Sequence, residues 1–470
     1  MAFRLLAGRL TTRHLGARKA YRNFATASPL QPLSSILPMT RITTLPNGLT
    51  VATEENLHAQ TATVGVWIDA GSRAENDKNN GAAHFLEHMA FKGTSRRSQH
   101  DLEIMIENMG AHLNAYTSRE QTVYYAKAFK KDVPAAVEIL ADILQNSTLD
   151  LHAIERERDV ILREQEEVEK QTEEVVFDHL HAVAFQGHSL GRTILGPTEN
   201  IRSLKRDDLL KYIKDNYTAD RMVLVGAGGV EHERLVELAG QYFGSLKSSP
   251  KRLNLGAHTT PHPKFVGAEA RVRKDLPNVH VALAVEGIGW TSPDYYPMLV
   301  MQSIIGSWDR SLGASSRLSQ VLASSKLANS FMSFNTSYSD TGLFGIYLVT
   351  EKHGNLDDLI ALTQREWIRL SSSVTAAEVE RAKQQLKASL LLSLDGSTAI
   401  AEDIGRQLIT CGKRFSPEEV EALVDKVTAE DVRRSAKKYL WDRDVAVVTV
   451  GPKDEWPDVQ RIRANQRQVL

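Results

Sequence analysis

Three residues near the start of the chain combine side chains that can bind a metal ion and move a proton. His84 and His88 are four positions apart, and Glu87 lies three positions after His84. Because residues three and four apart are neighbours on a helix, we expect all three side chains on one face. Two neutral imidazoles can hold one zinc ion, and the carboxylate can take a proton from a water that the metal activates. The spacing therefore predicts a zinc hydrolase.

A catalytic zinc ion needs a third protein ligand and an open position for water. The acidic segment 155–164 has a helical pattern and offers Glu157 and Glu164, which are seven positions apart and so share one stripe. One of them can bind the metal while the other supports a histidine from behind. Spacing does not choose between the two, and an acidic run is more often a solvated face.

The elements that must position these residues are a mixture of strands and helices. Alternating or continuous apolar residues predict strands over 61–69, 113–117 and 222–226, and helical patterns cover 81–92, 100–109, 131–145 and 151–185. A polar stretch with three prolines, 246–265, is typical of a linker. We therefore expect two domains, at 40–245 and 266–470.

The part after this linker resembles a second copy of the part before it. Residues 64–72 align with 281–289, and 208–225 align with 431–448. In these alignments the positions of His84, Glu87, His88 and Glu164 hold Met301, Ile304, Ile305 and Lys387. We expect an α+β fold of two homologous halves, each a mixed β-sheet packed against helices, with metal ligands in the first half alone.

The composition limits the class of protein and its compartment. The chain has 470 residues, 42% of them hydrophobic, and a formal net charge of -1, which gives no general indication of nucleic-acid binding. Its one cysteine, Cys411, cannot form an intramolecular disulfide, which fits a reducing compartment. No apolar run approaches the roughly 20 residues that would cross a bilayer. These features indicate a globular protein.

The beginning of the chain has the composition of a targeting segment. The first 53 residues contain no Asp or Glu, although seven of them are Lys or Arg. Basic residues recur every four or five positions among Leu, Ala, Ser and Thr, as in a mitochondrial transit peptide. The alternative is a disordered basic tail. We predict a transit peptide over 1–24 and a location in the mitochondrial matrix.

Longer motifs around the histidines resemble a known family. Residues 81–94 and 108–118, with Glu164 seventy-six positions after His88, resemble the pitrilysin/insulinase metallopeptidases, and within them the members that cleave mitochondrial presequences. The likeness runs from about residue 41 to beyond 450. It implies zinc bound by His84, His88 and Glu164, with Glu87 as the general base and Glu157 as support for the site.

The resemblance also implies residues that bind the substrate. Presequences are rich in arginine, and in the family the counterparts of Glu174 and Asp178 hold the arginine two residues before the cut. If 151–185 form one continuous helix, the side chains of Glu174 and Asp178 lie within about 80° of Glu164 around the helix axis. Asn114 and Ala115 would form a strand edge for the peptide. Phe91 matches a family contact with the residue after the cut, although a core phenylalanine fits its position nearly as well.

The family further implies a partner and a competing role. The active enzyme would be a heterodimer with a homologous α subunit that closes a chamber over the zinc. Relatives serve as core subunits of ubiquinol–cytochrome c reductase at the inner membrane, often with a broken metal motif, and one chain could fill both roles. Arg317 and Tyr338 are candidates for stabilising the tetrahedral intermediate, and the sequence places neither securely.

Overall fold

The computed structural model describes residues 39–257, 261–351, 355–452 and 456–467. The predicted transit peptide over 1–24 lies outside these ranges. Within them, no helix is both long and apolar enough to cross a membrane. Cys411 is present as a free cysteine.

The first half forms a mixed six-stranded sheet in the order β1-β2-β6-β3-β5-β4. Its strands are β1 (Arg41–Thr44), β2 (Thr50–Glu55), β3 (Thr61–Ile68), β4 (His112–Thr117), β5 (Thr122–Phe129) and β6 (Met222–Gly228). Its helices are α1 (Ala82–Met89), α2 (Gln99–Met109), α3 (Val133–Asn146), α4 (Leu151–Val168), α5 (Thr172–Ala184), α6 (Thr198–Ser203), α7 (Arg206–Asn216) and α8 (His232–Phe243).

The second half forms another six-stranded sheet, in the order β7-β12-β8-β11-β10-β9. Its strands are β7 (Glu269–Arg273), β8 (Val279–Glu286), β9 (Ser307–Asp309), β10 (Ser330–Ser337), β11 (Gly342–Thr350) and β12 (Ala446–Gly451). Its helices are α9 (Tyr295–Ile305), α10 (Arg317–Ser325), α11 (Leu356–Ser372), α12 (Ala376–Leu392), α13 (Ser397–Cys411), α14 (Pro417–Asp425), α15 (Ala429–Tyr439) and α16 (Val459–Asn465).

The two halves repeat the same arrangement, which confirms the predicted α+β fold class. Both sheets are mixed, because the pairs β2–β6 and β7–β12 are parallel while the remaining pairs are antiparallel. The aligned segments of the sequence fall on equivalent elements, with α7 followed by β6 in one half and α15 followed by β12 in the other. The domain boundary at 246–265 stays a prediction.

Each sheet is covered on one face by helices of its own half and on the other face by a helix from the opposite half. Strand β3 is buried over seven of its eight residues because both of its faces are covered. Helix α13, from the second half, packs Ile404 and Leu408 against Trp67 and Val225 of the first sheet. Helix α5, from the first half, packs Leu180 and other apolar side chains on the second sheet. Each half thus contributes one helix that packs on the sheet of the other half, an arrangement that we call the exchange of helices.

The contact between Trp67 and α13 leaves room only for glycine at position 405. A Cβ atom on Gly405 would lie 2.2 Å from Cδ2 of the Trp67 ring. We expect Gly405→Ala to destabilise the fold by about 1–3 kcal/mol, because overpacking outweighs the helix propensity of alanine. Gly240 of α8 is the control, since a Cβ there would meet nothing within 4 Å. Thermal unfolding should show a lower midpoint for Gly405→Ala but not for Gly240→Ala, and equal midpoints would contradict this account of the contact.

A buried ion network joins the hairpin turns of the two halves. Arg73 donates to both carboxylate oxygens of Asp340, at 2.8 and 2.9 Å, and to Glu120 Oε1 at 2.7 Å. Glu120, in the turn between β4 and β5, also accepts from the backbone N–H of Ser339 at 2.9 Å. The Arg73 side chain is 5% exposed, so its charge depends on these partners.

Candidate metal centre and active site

Helix α1, which carries both histidines, begins on a closely packed glycine. Gly81 has a φ of 103°, which is a left-handed conformation, and a Cβ atom there would lie 2.9 Å from the carbonyl oxygen of Leu195. The carboxylate of Glu75 then accepts hydrogen bonds from the backbone N–H groups of Gly81 and Ala83, at 2.9 and 2.7 Å. These bonds satisfy donors that a helix start leaves free, and they fix where α1 begins.

Burial raises the pKa of Glu75 to about 7, although its three hydrogen-bond donors oppose this shift. The third donor is the side-chain amide of Asn80, 2.7 Å from Glu75 Oε2. No pattern in the sequence pointed to this residue. The only available signal was an acidic residue a few positions before a helix, which is too common to be informative.

Helices α1 and α4 bring the three predicted metal ligands together. Glu164 Oε2 lies 3.0 Å from His88 Nε2 and 3.6 Å from His84 Nε2. The two imidazole rings stand edge to face, with centroids 4.7 Å apart. The donor atoms of the three residues all lie within 4.8 Å of one another, and no other group of three or more His, Cys, Asp or Glu in the described ranges does so.

The protonation states of His84 and Glu164 suit a divalent cation. Burial, helped by the neighbouring His88, lowers the pKa of His84 to about 4, so this imidazole is neutral. A hydrogen bond from His88 holds the pKa of Glu164 below its usual value although burial opposes this. Neutral imidazole and ionised carboxylate are the forms that coordinate metals. The donor set, two nitrogens and one oxygen, is typical of a catalytic zinc site.

Glu157 lies beside the Nδ1 atom of His88. Its Oε2 atom is 3.4 Å from His88 Nδ1, on the side of the ring away from Glu164. For His88, burial favours the neutral ring, but the two carboxylates outweigh this effect and raise its pKa. The Nδ1 atom of His84, in contrast, is buried without a hydrogen-bond partner among the described residues. The two histidines are therefore supported differently.

Glu87 lies on the same helix face, beside the end of strand β4. Burial raises the pKa of its carboxyl, and the neighbouring Thr117 and His88 oppose this only in part. A carboxylate whose pKa lies above its ordinary value is a stronger proton acceptor. Its carboxyl lies between His88 and Thr117, the last residue of β4.

Strand β4 is one of the two outer strands of the first sheet and pairs with β5 alone among the described residues. It contains Asn114, which is exposed, and Ala115, which is half-buried. The equivalent strand of the second sheet, β10, is not an outer strand, because it is paired with β9 through residues 330–332. Only the metal-bearing half thus leaves this edge unpaired along its length. An extended peptide could add to it by main-chain hydrogen bonds.

The prediction of one continuous helix over 151–185 is wrong. Helix α4 ends at Val168 and α5 begins at Thr172. The chain changes direction because α4 packs against α1 while the apolar side of α5 faces the second sheet. Glu174 and Asp178 therefore lie on a different helix from Glu164, and the predicted angle of about 80° between them does not apply.

The two predicted arginine-binding carboxylates have different surroundings. Glu174 is exposed, in the first turn of α5. Asp178 is half-buried and already engaged, since its two oxygens accept from Arg119 at 2.7 Å and from Thr193 Oγ1 at 2.8 Å. Arg119 lies two residues after the last residue of β4, so its contact connects Asp178 with the end of this strand. Phe91 is half-buried and packs against the first hydrophobic core.

The two candidates for stabilising an intermediate do not lie together. The hydroxyl of Tyr338 is buried, 2.6 Å from His181 Nε2. Arg317 begins α10 and lies 3.8 Å from Glu366, with 64% of its side chain exposed.

The counterparts of the metal ligands in the second half have other surroundings. Met301, Ile304 and Ile305 are buried residues of α9. Lys387, the counterpart of Glu164, pairs with Asp425 at 2.9 Å.

Fold and site together define a metallopeptidase with two homologous halves and one metal centre. The family model described as insulinase (peptidase family M16) matches residues 50–198, and the model of the M16 inactive domain matches residues 203–386. The chain belongs to the insulinase family of peptidases, family M16.

Named relatives are similar over nearly the whole chain. The mitochondrial-processing peptidase subunit beta of Lentinula edodes is 64% identical, covering 99% of this chain and 100% of that protein. The probable subunit of the same name from Schizosaccharomyces pombe is 61% identical (95% and 97%), and that of Bos taurus is 56% identical (92% and 88%). These names place the protein in the mitochondrion.

A solved structure is similar in fold as well. A chain of complex III2 from Candida albicans, with Inz-5 bound, superposes with a TM-score of 0.81 at 28% identity, covering 91% of this chain and 100% of that one. The likeness extends through both halves.

Proposed function

We propose that the chain is the zinc-bearing catalytic subunit of a heterodimeric peptidase that removes N-terminal presequences from proteins imported into the mitochondrial matrix. The observation that carries this proposal is the convergence of His84, His88 and Glu164 at helix α1, which packs against the outer strand β4. Relatives named as subunit beta of the mitochondrial-processing peptidase support the substrate class and a partner α subunit.

The proposed roles follow from the contacts of each residue. His84, His88 and Glu164 would hold zinc, and the bound ion would supply Lewis-acid chemistry for peptide hydrolysis. The peptide lies along β4 at Asn114 and Ala115, with Phe91 near the residue after the cut. Glu87 takes a proton from the attacking water and returns it to the leaving amine.

Arginine recognition is assigned to Glu174 and Asp178. Because Asp178 already bonds Arg119 and Thr193, Glu174 is the better residue for a test. We expect Glu174→Gln to lower kcat/KM for an arginine-bearing presequence by about 5- to 150-fold, since a hydrogen bond to a charged group contributes about 1–3 kcal/mol. A presequence with alanine at that position should be cleaved equally by both proteins.

The experiment co-expresses the chain with the α subunit and follows cleavage of both presequences. Glu166→Gln is the matched control, because Glu166 is exposed on α4. An equal loss on both presequences would remove Glu174 from arginine recognition. Failure of the zinc-loaded pair to cut any presequence would refute the proposed function as a whole.

The alternative role, a core subunit of ubiquinol–cytochrome c reductase, is supported by the likeness to the complex III chain. The intact set of metal ligands favours the peptidase. We propose association with that complex at the inner membrane only as a second role of the same chain, which co-purification of the peptidase activity with the complex would test.

A further inference from the structure

A lysine outside the predicted ligand set contacts the residue behind His88. Lys92 Nζ lies 2.7 Å from Glu157 Oε1, while the other oxygen, Oε2, faces His88 Nδ1 at 3.4 Å. Each oxygen of Glu157 thus has its own partner, one from the histidine and one from the lysine. The three side chains form a continuous series from the protein surface to the proposed metal centre.

The burial of these groups increases from the lysine to the carboxylate. The side chains of Lys92, His88 and Glu157 are 24%, 19% and 9% exposed. A buried carboxylate without a counter-charge is costly, and one with a single weak partner can change rotamer. The ammonium group provides the counter-charge and binds one oxygen, so the second oxygen stays directed at Nδ1.

The direction of that second oxygen determines how His88 can bind a metal. When Nδ1 donates its proton to Glu157, the lone pair of the ring is on Nε2, the atom that faces Glu164 at 3.0 Å. His84 has no comparable support, because its Nδ1 atom is buried without a partner in the described part of the chain. The hydrogen bond that orients the histidine pair from behind is therefore the one between His88 and Glu157.

Lys92 reaches Glu157 because of the way α1 ends. The helix finishes at Met89, and the backbone N–H of Lys92 donates to the carbonyl oxygen of Met89 at 3.1 Å. This turn fixes the lysine one helical turn beyond His88, so its side chain meets α4 at Glu157. The same short segment thus supplies two metal ligands and the cation that orients one of them.

We propose that Lys92 is a positioning residue that holds His88 in its metal-binding orientation through Glu157. The proposal rests on the proposed zinc site, and it concerns a residue that does not itself touch metal or substrate. Partners that orient a metal-bound histidine typically contribute 10- to 100-fold to metal affinity when they are intact. Lys92 should contribute to zinc affinity within that range.

The test measures zinc affinity of the full chain by competition with a chelator. We expect Lys92→Met to weaken zinc binding by about 10- to 100-fold. Lys92→Arg should keep most of the wild-type affinity, because the guanidinium keeps the charge. In a Glu157→Gln background, Lys92→Met should have no further effect. Lys211→Met is the matched control, since Lys211 is an exposed lysine on α7.

The outcomes separate this inference from the function on which it rests. If the wild-type chain binds no zinc, the proposed function fails before any variant is compared. If the wild type binds zinc and Lys92→Met binds it equally well, only the role of Lys92 is refuted. An equal loss in the Glu157→Gln background would also refute it, since the lysine would then not act through Glu157. Should Lys92→Met fail to fold, as judged by apoprotein melting, Lys92→Gln replaces it with the same expectations.

Discussion

Replacing Glu87 by glutamine should reduce kcat for presequence cleavage by about 10²- to 10⁴-fold, the usual contribution of a general base. The amide has nearly the same shape as the carboxylate but cannot accept the proton of the attacking water. Because Glu87 is not among the three converging donors, zinc content should stay at the wild-type level. The measurement combines steady-state cleavage by the heterodimer with metal analysis of the same sample.

Glu164→Gln is the comparison that distinguishes loss of the metal from loss of the general base. Its oxygen lies within reach of both histidines, so this variant should lose zinc together with cleavage. Glu166→Gln, on the exposed side of the same helix, should change neither. Wild-type turnover by zinc-loaded Glu87→Gln would show that another group takes the proton.

Asp340→Ala should destabilise the chain by about 1.5–3 kcal/mol, the contribution of hydrogen bonds to a charged group, because buried Arg73 keeps Glu120 as its other carboxylate partner. The variant removes both hydrogen bonds that Asp340 accepts from Arg73, whose side chain is 5% exposed. Glu120 cannot replace them, because it also binds the backbone of Ser339. Chemical denaturation, followed by circular dichroism, measures the change in the free energy of unfolding.

A double variant measures the coupling between Arg73 and Asp340. Arg73→Met combined with Asp340→Leu removes both charges of this pair and leaves Glu120 bound to the backbone N–H of Ser339, so it should cost less than the sum of the two single changes. The exposed pair Arg234–Glu237 provides the comparison, and Arg234→Met should change stability by about 0–1 kcal/mol. If Asp340→Ala has an effect as small as that of Arg234→Met, the network does not hold the halves together.

Some contacts of the metal centre could be predicted from the sequence and others could not. The spacing of His84, Glu87 and His88 predicted one helix face, because helix geometry relates neighbours three and four apart. The choice of Glu164 over Glu157 needed the family resemblance, since the contact joins residues seventy-six positions apart on two helices. The Lys92 contact with Glu157 was not predicted, because it depends on how α1 ends and how α4 crosses it.

The fold class followed from the repeat, but the packing of the repeats did not. Apolar side chains on α5 and α13 are typical of helices that pack on a sheet, yet hydrophobicity does not say which sheet covers them. The helix break at 169–171 contains neither proline nor glycine, so no residue there predicts it. The pair Arg73–Asp340 joins positions 267 apart, and no local pattern connects them.

The exchange of helices explains why the metal-free half has been kept. A duplicated domain that loses its ligands is free to diverge only where nothing else depends on it. Here the second sheet is the surface on which α5 folds, so it anchors the helix that carries Glu174 and Asp178. The first sheet, in turn, would expose the face around Trp67 if α13 were missing. The loss of metal ligands from one copy therefore leaves its packing surface in use by a helix of the other half.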